Sequence, residues 1–199
     1  MLASVVPTAR AQDTVGVQLD WGRFVGTGAT APLANDGPRC AATAMVNSFV
    51  YLIITNGGSG GKLLKGGSTD HNGDGKVDLT DTRDQLANDV HCGGTAQSIW
   101  EGKKSWLDTY ACDLFSYSGM VAEDPALWLG GSSLTKGDPT FEFLMQKLHD
   151  GEDVEIGFSL AGGGHAVTLT SLHFIETDGN RRWNPDKGEK ALIDYIDPN

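Results

Sequence analysis

A chain of 199 residues with 15 basic and 26 acidic side chains carries a formal charge of −11, and at ~100–200 residues per domain it has the length of one compact domain. Its 39% hydrophobic residues and 27 glycines together make about 53% of the chain, slightly above the ~45–50% of ordinary globular proteins, so a core can be buried. The acidic balance, with no Lys/Arg cluster to offset it, argues against nucleic acid or an anionic membrane as partner, and no apolar run approaches the ~18 residues of a membrane span.

In chain order, MLASVVPTARA at residues 1–11 joins a short apolar stretch to Ala9-Arg10-Ala11, the small-x-small pattern of a signal-peptidase site. It predicts an exported protein, secreted or held in the periplasm or at the cell surface, with a leader remnant over 1–11 and a single domain over 12–199. Gln12 to Arg39 reads as a polar, glycine-bearing lead-in. Over Cys40–Thr55, the residues Ala42, Met45, Val46, Phe49, Val50 and Ile53 recur at steps of three and four, which predicts a buried amphipathic helix with Cys40 in or beside its first turn. The stretch GGSGGKLLKGGST then reads as a break, because its glycines disfavour any regular element. Helices are expected around Asp81–Val90 and over Ala96–Tyr110, where Thr95 can act as cap, followed by a loop-rich region to Gly137. Asp138-Pro139 predicts a helix start, N-cap then proline, and Phe141, Leu144, Met145 and Leu148 form its apolar stripe before Gly151. Val154–Leu160, His165–Ile175 and Ala191–Asp197 read as antiparallel strands separated by GGG, DGN and a polar connection. Helices first and strands afterwards is the order of an α+β domain.

Between the glycine-rich break and the next helix, the run from Asp70 to Asp81 has EF-hand spacing. Asp70, Asn72, Asp74, Asp78 and Asp81 supply oxygens at loop positions one, three, five, nine and twelve, Gly75 stands at six, and the Lys76 carbonyl can serve position seven. Hard, multi-oxygen coordination predicts a structural Ca2+ that clamps an insertion at 56–81 onto the following helix. With aspartate at position twelve and no helix expected before it, the loop is more similar to the calcium loop of dockerin repeats than to a sensor EF-hand. Cys92 and Cys112 bracket the Ala96–Tyr110 helix and, in an exported protein, are a disulfide candidate, which leaves Cys40 as the odd thiol.

A cysteine at a helix N-terminus meets the positive end of the macrodipole and unpaired N–H groups, both of which favour thiolate. His165 follows Gly162-Gly163-Gly164 at the head of a strand, and Asp197 ends the last strand. A thiolate, an imidazole and a carboxylate to orient it are the three parts of covalent acyl transfer. The segments CAATAMVNSFVYL, GGGHAVTLTSL and YIDP resemble papain-like cysteine peptidases, particularly the bacterial branch that includes double-glycine leader peptidases. The resemblance covers roughly Cys40–Leu52 and Thr140–Pro198. It implies a helical subdomain whose nucleophile helix packs against a sheet subdomain, with an active-site cleft between them. It also implies hydrolysis of protein or peptide substrates, with Cys40 as nucleophile, His165 as proton shuttle and Asp197 as orienter. Such enzymes usually carry a glutamine about six residues before the cysteine. Here Ala34 stands there, so Asn35 is the nearest amide to assist the Cys40 N–H at the oxyanion. Asp194 and Asn199 are the alternative orienters. The competing readings are a noncatalytic extracellular calcium-binding or adhesion module on the same fold, and an amidase or acyltransferase using the same triad.

Overall fold

The computed structural model describes residues 13–26, 29, 31–35, 37–58, 61–65, 70, 73–88, 94–111, 114–160 and 163–198. Cys92 and Cys112, His71, Asn72, Asn199 and the leader at 1–11 lie outside these residues, so the expected disulfide, one metal ligand and the export signal do too.

Among the described residues, and leaving aside short 3-10 turns, the elements in chain order are strand β1 (Thr14–Gln18), helices α1 (Cys40–Thr55), α2 (Lys62–Lys65), α3 (Leu79–Asn88) and α4 (Ala96–Tyr110), strands β2 (Gly119–Val121) and β3 (Leu134–Lys136), helix α5 (Phe141–His149), and strands β4 (Val154–Leu160), β5 (Gly163–Ile175) and β6 (Lys190–Ile196). The class is α+β. The main sheet is antiparallel and centred on β5, while β2 and β3 form a small parallel pair. Leu169 of β5 is opposite Val154 on one side and Tyr195 on the other, and Leu172 is opposite Val17 and Ile193. Strands β4 and β1 therefore succeed one another along the same edge of β5, and β6 runs along the other.

α1 coincides with the helix expected from periodicity, but it is not amphipathic in the sense of having a wet face. Every residue from Ala41 to Tyr51 is buried. On one side Ala42, Met45, Val46 and Phe49 pack with Leu63, Leu86, Trp106 and Leu107 of the other helices. On the other, Tyr51 joins Phe24, Leu148, Leu169, Leu172 and Ile196 beneath the sheet. A helix between two layers must give its polar side chains internal partners. Asn47 does so by exchanging two hydrogen bonds with the Leu33 backbone, at 2.8 and 3.1 Å, and Ser48 donates to Asp153.

Several expectations need correction. The lead-in contains β1, which pairs with Ser171–Ile175. Gly16 hides its strand character, yet a Cβ there would meet His173 Nδ1 at 2.3 Å and the Leu172 carbonyl at 2.6 Å, so the close approach of β5 requires glycine. The glycine-rich break contains the single helical turn α2, held because Leu63 is fully buried and its carbonyl accepts from Trp106 Nε1 at 2.9 Å. α3 starts inside the acidic loop, at Leu79 rather than Asp81. α5 is capped by Thr140, whose hydroxyl accepts from Phe143 N–H at 3.1 Å, and not by Asp138. The Asp138-Pro139 pair lies just upstream, where proline keeps the preceding residue extended.

Candidate functional site

Cys40 opens α1 as a half-buried free thiol. The first turn of this helix is pressed onto the head of β5: Ala41 and Ala44 form a small buried cluster with Ala166, with Ile99 of α4 packed against it. Thr168 Oγ1 donates to the Ala44 carbonyl at 3.0 Å. Small side chains at all three positions let helix and strand approach closely, and Cys40 and His165 each stand one residue from that cluster along the chain. Arg39 precedes the cysteine, and its guanidinium donates to Asp84 of α3 at 3.1 Å, which ties the start of α1 to the helix that follows the acidic loop.

His165 Nε2 lies 3.1 Å from Asp197 Oδ1, with the imidazole 13% and the carboxylate 44% exposed. The pairing arises because β6 runs antiparallel to β5 and ends at Ile196, opposite Thr168, which carries the following residue toward the β5 head. Asp194, the alternative orienter, is engaged elsewhere: it accepts from Ser171 Oγ at 2.5 Å and lies 3.7 Å from His173 Nε2. The Asn35 loop joins the same corner, since its backbone N–H donates to the Pro198 carbonyl. The Asn35 side-chain amide donates to the Gly37 carbonyl, and its oxygen accepts from Thr43 at 3.4 Å. The structure thus brings Asn35 beside the Asp197-Pro198 end, with its amide turned into its own loop.

Two further features were not singled out in the linear chain. Phe158 stands opposite His165 in the β4–β5 ladder, with ring centroids 5.8 Å apart, a neighbour that only strand pairing defines. Lys103 is buried at 3% exposure, with Nζ 2.7 Å from both Glu155 oxygens and 3.4 Å from Asp153. Desolvation pulls the ammonium pKa down, but Glu155 and Asp153 outweigh it and the net direction is upward. A signal for this lysine does exist: it sits in the same helical stripe as Trp100, Trp106 and Leu107.

The acidic loop is wound by its own carboxylates. Asp70 accepts from the N–H groups of Gly73, Asp74 and Gly75 at 2.6, 3.2 and 2.9 Å, with Gly73 and Gly75 at φ 76° and 84°. Asp74 accepts from Lys76 N–H, Asp78 from Thr80, and the buried Asp81 from Asp78 N–H at 2.7 Å. Among the described residues, no three His, Cys, Asp or Glu side chains are gathered closely enough to hold an ion. Also among them, no helix is long and apolar enough to cross a membrane. In comparisons with known proteins, no family model, no curated protein and no solved structure matches this chain.

Proposed function

We propose that this protein is an exported, papain-like cysteine peptidase that hydrolyses peptide bonds with Cys40, His165 and Asp197 and is stabilised by calcium. The observation that carries the reading is the His165–Asp197 pair at 3.1 Å, set on the strand against which the Cys40 helix packs. Because Asp197 faces Nε2, the ring nitrogen assigned to proton transfer is Nδ1. In the proposed reaction the Cys40 thiolate attacks the substrate carbonyl carbon, and the electron pair of the C=O bond moves to oxygen. Collapse of that adduct expels the amine, which takes a proton from His165. Water, deprotonated by the same imidazole, then attacks the thioester carbonyl, and collapse of that adduct releases the carboxylic acid and returns the Cys40 thiolate beside the imidazolium. The Cys40 N–H, at the start of α1, is the first donor to the oxyanion. Asn35 is the second in this reading, and serves only if its amide leaves Gly37.

The calcium part rests on the EF-hand spacing and on a backbone already turned at Gly73–Gly75 around Asp70. Asp70, Asn72, Asp74, Asp78 and Asp81 with the Lys76 carbonyl would hold the ion, which supplies charge neutralisation to the loop and no step of the chemistry.

Labelling tests the peptidase reading. Iodoacetamide at pH ~5–6 is expected to modify Cys40 rapidly, where an ordinary thiol of pKa ~8.5 is almost wholly protonated, and His165→Ala is expected to remove that reactivity. Cys40 labelling with the pH dependence of an ordinary thiol would favour the noncatalytic module, the reading to which the inward-turned Asn35 amide gives its support.

A further inference from the structure

A cavity of about 740 Å³ lies between α4, the segment 114–123, α5 and β4, a size that suits a small ligand or a large side chain. One end abuts the contact between α1 and β5. Its lining there includes Ile99, which packs on Ala41, Ala44 and Ala166, and Phe158, the ring neighbour of His165. Every residue from Asp153 to Phe158 lines it. Successive side chains of a strand point to opposite faces, so an unbroken run means that the cavity follows the strand's edge. The opposite edge of β4 is in the ladder with β5, and among the described residues no strand pairs with this one. Extended backbone can therefore be laid along it.

The walls are aromatic. Trp100 and Tyr117 stack with centroids 4.0 Å apart, and Trp128 and Phe143 stand beside them. Both lysines in the lining are already answered: Lys103 by Glu155 at 2.7 Å and Lys147 by Glu152 at 2.9 Å. The carboxylates Glu123 and Asp138 are also in the lining, exposed and without an ion pair among the described residues. An aromatic wall next to unanswered carboxylates suits a long cationic side chain, whose stem packs on the rings while its charge meets the acids. An acidic side chain would find Lys103 saturated and meet repulsion at the mouth. The net charge of −11 draws cationic chains in the same sense.

We propose that this cavity is the side-chain subsite of the peptidase and takes a lysine or arginine of an extended polypeptide, an inference that rests on the function proposed above for its place in catalysis. Binding is measured on Cys40→Ala by fluorescence anisotropy, with labelled decapeptides that carry arginine, its neutral isostere citrulline, or glutamate at one position. The arginine peptide is expected to bind about tenfold more tightly than the citrulline peptide. That preference is expected to vanish in Glu123→Gln/Asp138→Asn, both exposed positions, and to shrink as salt is raised. Equal binding of arginine and citrulline peptides, or a preference for glutamate, would overturn the proposal.

Turnover by the unmodified protein separates the two ideas. Cleavage of a denatured protein, mapped by mass spectrometry, is expected to be enriched in Lys or Arg near the cut bond. Cleavage with no such enrichment overturns the subsite and leaves the peptidase. Arginine-selective binding without any cleavage supports the cationic subsite and overturns the peptidase.

Discussion

Asp197 lies just beyond the end of β6, and that single step decides which imidazole it serves. It pairs with His165 at 3.1 Å, whereas Asp194, inside the strand, is held by Ser171 near His173. If the His165 ring depends on this carboxylate for its tautomer and for stabilising imidazolium, Asp197→Asn is expected to lower kcat by about 10²–10⁴ with a much smaller change in KM. Asp194→Asn is expected to leave turnover near that of the wild type. Steady-state kinetics on one fluorogenic peptide compares the two, and the reverse order of damage would move the orienting role to Asp194. Both aspartates were legible in the chain as candidates. The chain favoured Asp197 as the residue that ends the last strand, but the contact itself was not legible, because it depends on where β6 leaves the ladder, and hydrophobic alternation locates a strand end only to within a few residues.

At the scale of elements, α5 shows how local chemistry competes. Asp138-Pro139 has the form of a helix start, but Thr140 is the residue whose hydroxyl accepts the Phe143 N–H. Thr140→Ala is expected to cost about 1 kcal/mol of stability, and Asp138→Ala less than ~0.5 kcal/mol. Chemical denaturation of the two variants checks this, and equal losses would return the cap to Asp138. The helix stripe itself was legible, since Phe141, Leu144, Met145 and Leu148 all pack toward the sheet. The turn α2 was not, because its glycine flanks argue against a helix, and it is held from outside the segment by the burial of Leu63, the bond from Trp106 to the Leu63 carbonyl and the bond from Thr82 to the Leu64 carbonyl.

At the scale of the molecule, Lys103 joins the layers: its ammonium sits among Glu155 at the start of β4, Asp153 before it, Ser48 of α1 and the Tyr117 ring. Lys103→Met leaves two carboxylates in the interior without their cation and is expected to cost about 3–5 kcal/mol. The pH dependence follows from the upward shift. A lysine held above its ordinary ~10.4 contributes stability that is intact below that pH and falls as pH rises toward the folded value, by about 1.4 kcal/mol per unit. Denaturant melts between pH 8 and ~11 are expected to show this alkaline slope in the wild type and not in Lys103→Met. The acidic loop leads into α3, whose Asp84 accepts from Arg39 beside Cys40. If the loop binds calcium, a free-ion concentration of ~100 times Kd adds about 2.7 kcal/mol, or ~5–10 °C in Tm for a chain of this size. Calorimetry with and without chelator tests that effect, and superimposed curves would remove the structural role.

The chain alone determined the α+β class, the extent of α1 and the three strands at the C-terminal end, because helical steps of three and four and runs bounded by glycine turns are local consequences of burying apolar side chains. It also singled out Cys40, His165 and Asp197 by their places at the ends of elements. Only the tertiary structure decided that α1 is buried on every side, that β1 completes the sheet through Gly16, and that Asp197 rather than Asp194 meets His165. It alone decided that Lys103 is enclosed by carboxylates and that an aromatic, acid-rimmed cavity runs along β4. These are contacts between residues far apart in the chain, as in the pairing of Gly16 with His173 and the bond from Thr168 to Ala44, 124 positions away. No local periodicity encodes them, because they are set by which faces meet when the layers close.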